Sequence, residues 1–379
     1  MRFVFIWLCF FSLFSCTQKN QKKSLFELQT SEQTGIDFEN TILETEDYNL
    51  YDYEYMYNGG GIGILDINND GLNDFIAGGN LVPSKLYLNK GDLQFEDITE
   101  SAGLATDRWI AGISVVDINS DGYSDIYLCV AGNENVDETS NLLFINNKDN
   151  TFTEKASTYG IDDPSLTTQA AFFDYDLDGD LDLYLLNFGN VKWAKEAIYP
   201  KITDGTGPGA DKFYKNNGDG TFTDFTREAG VLIEGYGLGM GVMDINHDGY
   251  LDVYVSNDYL DDDIFYINNQ KGGFEDQLDK YMKHTSFFAM GSDFGDVNND
   301  GNQDIITVDM LPENNQKHKI VIGAGSYDDV RRRLQNGFIP AYIRNTLQLN
   351  NGDQSFSEVG RYSGIAATDW SWGPLLADF

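Results

Sequence analysis

Cysteine is scarce in this chain: Cys9, Cys16 and Cys129 are the only three in 379 residues. So few and so widely spaced, they supply no disulfide framework. Basic residues are also few, 25 Lys and Arg against 61 Asp and Glu, for a formal net charge of −36. A surface this acidic repels phosphate backbones and anionic headgroups, which excludes nucleic acid and the bare membrane surface as partners. Proline is nearly absent, 7 residues against 39 glycines, so tight turns must rest on glycine. Histidine is scarcer still. His247, His284 and His318 have no nucleophile or paired carboxylate beside them in sequence, and His247 is expected to face water. No glycine-rich phosphate loop follows a strand, since Gly235 to Gly241 alternates instead of opening a helix.

Long apolar runs are missing too. The one candidate, Phe3 to Phe14 after Arg2, is too short to span a bilayer as a helix and has the form of a secretory h-region. Leu13-Phe14-Ser15-Cys16 resembles a bacterial lipobox, although Phe14 is bulky for its place. Residues 1–15 are therefore expected to be a signal peptide, Cys16 a lipidation site, and 16–24 a polar tether. A plain signal peptide cleaved nearby is the alternative. Either way the chain is expected to be exported, as an outer-membrane or cell-surface lipoprotein or on the periplasmic face, touching the membrane through its lipid alone.

What the chain has in abundance is one pattern. D-x-[ND]-x-D-G-x-x-D occurs five times, beginning at Asp66, Asp117, Asp174, Asp244 and Asp296. A sixth copy starts at Asp378, where the sequence stops. Oxygen donors at positions one, three, five and nine, a backbone carbonyl at seven and a glycine at six suit a hard cation such as calcium. Five copies with like apolar flanks predict about five calcium sites, and calcium rather than disulfides as the staple. The alternative is a set of Asx-bonded polar turns without an ion, which crowded carboxylates oppose.

Around each motif lies a wider grammar. An apolar lead-in with small residues precedes it, as in Gly-Leu-Gly-Met-Gly-Val-Met before Asp244, and an alternating strand follows, as in Asp252-Val-Tyr-Val-Ser. A strand ending in asparagine comes next (Leu86 to Asn89, Leu143 to Asn146, Phe213 to Asn216, Phe265 to Asn268, Leu347 to Asn350), then a Gly/Asn/Asp turn and a last strand. The first aspartates are 51, 57, 70 and 52 residues apart. Four short strands in such a unit predict an all-β fold, a β-propeller of four-stranded blades with EF-hand-like calcium loops. An aromatic content of 14% suits such a core. Phe26 to Ile36 resembles the segments that close repeats, Phe95 to Leu104 and Phe222 to Val231, and is expected to be the outer strand of the last blade. Because the chain ends mid-motif, residues 25–379 are expected to be an incomplete propeller.

The lead-in, the aspartate loop and the N-x-G-D-G-x-F turn together resemble FG-GAP/VCBS repeats of integrin-α-type propellers. Tyr57-Asn-Gly-Gly-Gly, Leu86-Tyr-Leu-Asn-Lys-Gly, Phe95-Glu-Asp-Ile-Thr and Asp369-Trp-Ser-Trp-Gly-Pro are similar to bacterial proteins that add a C-terminal ASPIC/UnbV module, a family whose animal relative is cartilage acidic protein. The resemblance implies seven blades in the complete protein. It also implies these calcium ligands, with the position-seven carbonyl donor given fourth in each set: Asp66, Asn68, Asp70, Leu72, Asp74; Asp117, Asn119, Asp121, Tyr123, Asp125; Asp174, Asp176, Asp178, Asp180, Asp182; Asp244, Asn246, Asp248, Tyr250, Asp252; Asp296, Asn298, Asp300, Asn302, Asp304. The third set, with aspartate at position three, is expected to bind most tightly.

Two insertions interrupt the repeat, residues 188–211 and 309–344, the second with a helical stretch Asp328-Asp-Val-Arg-Arg-Arg-Leu-Gln. Trp193, Tyr199, Tyr327 and Arg331 to Arg333 are the candidate contacts of a binding rim. The competing reading packs them over the blades, with Asp328 and Asp329 pairing the arginines. Trp109, Trp370 and Trp372 precede metal loops and are expected in the core. The function expected is a binding or adhesion module at the cell envelope, with a glycan or an envelope protein as partner. The alternatives are a calcium-dependent polysaccharide lyase or hydrolase, for which a glycosidase-type carboxylate pair remains open, and a scaffold for an ASPIC/UnbV module. Catalytic residues are not assigned.

Overall fold

Residues that alternate in burial and stop at glycine- or asparagine-rich turns can fold back on themselves into antiparallel strands, and here they do so four times per repeat. The structure is a computed structural model and describes residues 26–51, 53, 55–132, 138–189, 198–259, 261–321 and 327–378. The expected signal peptide and tether, with Cys16, and also Trp193 lie outside the described residues. After a short helix α1 (Ser31–Thr34), the first blade is β1 (Ile62–Leu65), β2 (Asp74–Ala77), β3 (Lys85–Asn89) and β4 (Phe95–Asp97). The second is β5 (Ile110–Val116), β6 (Asp125–Val130), β7 (Leu142–Asn146) and β8 (Phe152–Glu154), followed by α2 (Ala156–Tyr159). The third is β9 (Thr167–Phe173), β10 (Asp182–Asn187), β11 (Lys212–Asn216) and β12 (Phe222–Asp224), followed by α3 (Thr226–Ala229). The fourth is β13 (Gly237–Met243), β14 (Asp252–Asn257), β15 (Ile264–Asn268) and β16 (Phe274–Asp276), followed by α4 (Leu278–Tyr281).

The fifth blade is interrupted. A two-residue strand β17 (Thr285–Ser286) precedes β18 (Gly291–Gly295) and β19 (Asp304–Val308); helices α5 (Asn315–Val321) and α6 (Tyr327–Gln335) and a short β20 (Ala341–Tyr342) then intervene before β21 (Thr346–Asn350) and β22 (Phe356–Glu358). β20 pairs in parallel with β17, outside the blade. In all five four-stranded sheets the strands lie in sequence order and run antiparallel. The fold is thus all-β, an array of propeller blades, as the repeat grammar predicts.

The blades stack face to face, which is why β6, β10 and β14 are buried along their whole length. An apolar layer fills each gap between neighbours: Ile76, Leu86 and Ile126 between the first two blades, Tyr127, Leu183 and Leu185 next, then Tyr184, Phe213 and Val255, and Tyr254, Phe265 and Ile305 last. The first strands of successive blades lie nearest one another, around the axis. Glycines in the lead-ins permit that approach: a Cβ at Gly112 would sit 2.2 Å from the Thr168 carbonyl oxygen, and one at Gly241 would sit 2.1 Å from the Phe294 ring.

At the outside, a left-handed glycine after each of the first three outer strands abuts the next blade: Gly103 against the Phe152 carbonyl, Gly160 against that of Phe222 and Gly230 against that of Phe274. Gly35 abuts the Phe95 carbonyl in the same manner. The segment at 31–35 therefore stands to the first blade as 156–160 stands to the third. The segment Phe26 to Ile36, read from sequence as an outer strand, forms no strand here: 31–34 are helix α1 instead.

The strand order gives the array two unlike ends. Every aspartate loop joins a first strand to a second. Both insertions, and the acidic stretch 258–263, join a second strand to a third and so lie at the opposite end. Asp211 anchors that end: its Oδ1 accepts the Asn187 N–H at 2.9 Å and its Oδ2 the Tyr184 hydroxyl at 2.6 Å, all buried. Burial pushes Asp211 up to about 7, its two hydrogen bonds opposing this. A carboxyl raised in the folded state binds its proton more tightly there, so its contribution is complete below about pH 4 and is lost as pH rises to about 7. Asp211→Asn is expected to flatten that segment of the stability–pH curve by on the order of 2–4 kcal/mol, measured by denaturant unfolding from pH 4 to 8.

Candidate functional site

Each aspartate loop is built by its own carboxylates. The first aspartate spans the turn, with Oδ1 accepting the N–H of position five and Oδ2 that of position six; in the first loop these bonds, Asp66 to Asp70 and Gly71, are 3.1 and 2.8 Å. The same pair recurs at Asp117, Asp174, Asp244 and Asp296. The position-five carboxylate takes the N–H of position seven, at Leu72, Tyr123, Asp180, Tyr250 and Asn302. Asn68, Asn119, Asn246 and Asn298 each accept the position-five N–H. Glycine six is left-handed in every loop, and so is position four, which the motif leaves unspecified: Asn69, Ser120, Leu177, His247 and Asn299 have φ of 55–62°. For Leu177 that conformation costs about 1 kcal/mol.

The ninth residue is the buried one. Asp74, Asp125, Asp182, Asp252 and Asp304 accept the N–H of position two through Oδ2 and, through Oδ1, the N–H of the asparagine ending the third strand, at 2.6–2.9 Å. Burial raises all five, Asp125 to about 6 and Asp182 and Asp252 to about 7; the backbone N–H groups oppose the shift and the other loop carboxylates add to it. Carboxylates so placed favour either a proton or a cation among them.

The third loop differs in the way its sequence suggests. Carboxylate oxygens of Asp174, Asp176 and Asp182 lie within 4.8 Å of one another, the one such acidic group among the described residues. Asp176 Oδ1 is buried without a hydrogen-bond partner, a donor left over beside two other carboxylates, so these residues fit a hard cation. Asp176 Oδ2 is engaged by Lys215, whose Nζ also lies 3.8 Å from Asp178. A resident ammonium thus already neutralises part of the extra charge on which the expectation of tightest binding rests.

Sequence reading marked the strand-ending asparagines without giving them work. In three of the five repeats their side chains join loops of different blades. Asn146 Nδ2 donates to the Ile67 carbonyl at 2.9 Å, Asn268 to that of Tyr175 at 2.8 Å, and Asn350 to that of Ile245 at 3.2 Å, each acceptor being position two of the preceding blade's loop. Their Oδ1 atoms cap the following turns. Further links run between loops directly, Asn69 to the Gly122 carbonyl and His247 to Asn302.

At the opposite end the rim candidates separate. Tyr327 and Arg331 are exposed, as a contact surface requires, and Tyr199 is half-buried. Arg333 is not a surface residue: it is 3% exposed, bonds Asp262 at 3.1 Å, and lies 4.9 Å from the ring centres of both Phe287 and Phe338. An amphipathic helix turns one of three consecutive arginines inward, and the acid it meets is Asp262 from the fourth blade. Trp109 is buried, as expected; Trp370 and Trp372 are 53% and 42% exposed, because their segment lies along β18 with no described blade over it. His284 does have a carboxylate partner, Glu358 at 3.4 Å, contributed by the outer strand 74 residues away, but Arg344 holds that carboxylate at 2.6 Å. Cys129 is buried and its thiol is pushed up by burial. Around the axis, Tyr53, Tyr55, Trp109, Phe188, Asn58 and Gln169 line a pocket of ≈ 250 Å³.

Repeated four-stranded blades, each with an aspartate loop between its first two strands, define an aspartate-loop type of propeller repeat. The FG-GAP-like repeat model matches residues 66–128, 127–185, 202–255 and 244–307, more than half of the chain, and the protein belongs to that family. Among curated relatives, cartilage acidic protein 1 of Xenopus tropicalis is 28% identical over 243 residues, 62% of this chain and 35% of the relative. Its Homo sapiens counterpart is 34% identical over 107 residues, 28% of this chain and 15% of the relative. The chain thus spans about a third or less of the curated relatives it matches. Among solved structures, the V. cholerae biofilm matrix protein Bap1 aligns over 66% of this chain and 34% of that one, at 13% identity and a TM-score of 0.36. No helix among the described residues is long and apolar enough to cross a membrane.

Asn268→Ala deletes a buried amide that joins two blades and is expected to cost about 2–3 kcal/mol in denaturant unfolding, whereas Asn217→Ala, in the exposed turn after β11, is expected to cost under about 1 kcal/mol.

Proposed function

We propose that this chain is an exported, calcium-stabilised β-propeller that serves as a binding module at the cell envelope. Calcium is held by the five aspartate loops, through Asp66, Asn68, Asp70 and Asp74 in the first and the equivalent residues in the others, with lipid attached at Cys16. The metal's chemistry here is structural: it neutralises carboxylates that would otherwise repel, and ties a turn to the strand behind it. The partner docks at the other end of the blades.

One observation carries the second half of this reading: the two unlike ends of the array. Loops that hold the blades together occupy one end. Both long insertions and the mouth of the aromatic pocket at Tyr53, Tyr55 and Trp109 occupy the other. A concave site walled by aromatic rings, with the amides of Asn58 and Gln169 among them, suits a hydroxyl-rich ligand such as a glycan, stacking a sugar face and bonding its hydroxyls. The exposed Tyr327 and Arg331 on α6 would extend contact outward to a larger partner.

Calorimetric titration with envelope polysaccharide tests this. Binding without turnover, weakened about tenfold or more by Tyr53→Ala and unchanged by substitutions in the aspartate-loop end, is the expected result. Turnover of an acidic polysaccharide, or binding indifferent to Tyr53 and Tyr327, contradicts it.

A further inference from the structure

At the insertion-bearing end, three buried oxygen acceptors have no donor among the described residues. Glu234 Oε2, Asn257 Oδ1 and Asp261 Oδ2 are each without a hydrogen-bond partner, in residues 3%, 1% and 4% exposed. Buried acceptors are nearly always satisfied, and leaving a carboxylate oxygen bare is costlier than leaving a neutral one. Three in one neighbourhood call for a shared explanation.

The backbone brings them together. Glu234 precedes β13, Asn257 ends β14, and Asp261 lies in the connection from β14 to β15. Gly235 lies flat on the Asn257 amide: a Cβ there would meet Oδ1 at 2.4 Å. Glu234 is folded beneath the first insertion, where a Cβ at Gly207 would meet its side-chain carbons at 2.6–2.8 Å. The Glu234 N–H bonds the Ile202 carbonyl at 3.0 Å, and Ala210 pairs with Glu234 as an isolated bridge. The insertion is therefore strapped over these groups. Two tyrosines, Tyr199 and Tyr236, lie nearby, and both feel the charges of Asp261 and Glu234.

Charge does not balance there. Asp262 is the acid that Arg333 and Lys201 engage, at 3.1 and 3.9 Å. Among the described residues Asp261 and Glu234 have no ion pair within 4 Å; burial, and after it the charge of Glu234, hold Asp261 up to about 7, with Arg333 and Lys201 opposing. Asn257 Nδ2 donates one of its two hydrogens to the Asp262 carbonyl at 2.8 Å.

We propose that Glu234 and Asp261, with Asn257 Oδ1 beside them, bind a divalent oxygen-preferring cation that ties the segment before β13 to the β14–β15 connection beneath the first insertion. This site is separate from the aspartate loops: it draws on no motif residue and lies at the far end of the strands. It would fix the surface on which the proposed partner docks, and to that extent it rests on the functional reading, though its ion does not. Carboxylate and amide oxygens with no sulfur or imidazole select calcium or magnesium over zinc or copper.

The test counts ions. Calcium bound per chain is measured by equilibrium dialysis and elemental analysis for wild type, Glu234→Gln and Asp261→Asn, with Asp176→Asn reporting on the loops alone. The expected result is one calcium fewer in each of the first two variants, both folded by circular dichroism. In chelator, Glu234→Gln should unfold at a temperature equal to or above that of wild type, because an unpaired buried charge has been removed. Tyrosine-sensitised terbium emission should fall in step with the calcium count. An unchanged count in both variants overturns the proposal and leaves the two carboxyls sharing a proton. Loss at Asp176→Asn with no loss at Glu234→Gln or Asp261→Asn would likewise overturn it while leaving the loop reading intact.

Discussion

A buried carboxylate at the ninth position of the loop is the joint on which the architecture turns. Each of Asp74, Asp125, Asp182, Asp252 and Asp304 accepts one N–H from its own loop and one from the asparagine that ends the third strand. Loop, second strand and third strand are thus tied at a single residue. The asparagine's amide then reaches, in three of five repeats, to a loop of another blade. Hydrophobic layers supply most of the stabilisation of such an array, but they are non-directional. These polar joints set the register in which one blade meets the next, which is the kind of specificity satisfied buried networks confer.

The same joint makes the protein's extreme charge intelligible. Carboxylates gathered into a loop and partly buried raise one another's affinity for protons, and desolvation adds to this. A bound cation reverses the balance, converting mutual repulsion into attraction toward a common centre. Of the 61 acidic residues, 17 lie in the five aspartate loops at one end, and Glu234 with the four aspartates of 258–263 is buried at the other. Between these ends the strands are apolar and stack.

Much of this was legible beforehand. Alternation and the repeated Asp-x-Asn-x-Asp-Gly pattern predict the strands, their order and the loops, because both signals are local and recur. The strand-ending asparagine was visible as a recurrent letter, but its contacts are made 79 to 105 residues away and cannot be read from one repeat. Arg333 was misjudged for a related reason: a run of three arginines looks solvated, and only the helix phase and a distant Asp262 turn one of them inward. The acceptors at Glu234, Asn257 and Asp261 left no trace at all, since they belong to no motif and meet only through the fold.

Thermal unfolding of the chain in increasing calcium, and in excess chelator, tests the central claim most directly. If cations in the aspartate loops hold the blades in register, the midpoint rises steadily with calcium concentration, as required for ligands bound by the native state alone, and drops to its lowest value in chelator. A midpoint that is the same in chelator and in millimolar calcium would contradict the account, and would mean that the loops close on hydrogen bonds and protons without a metal.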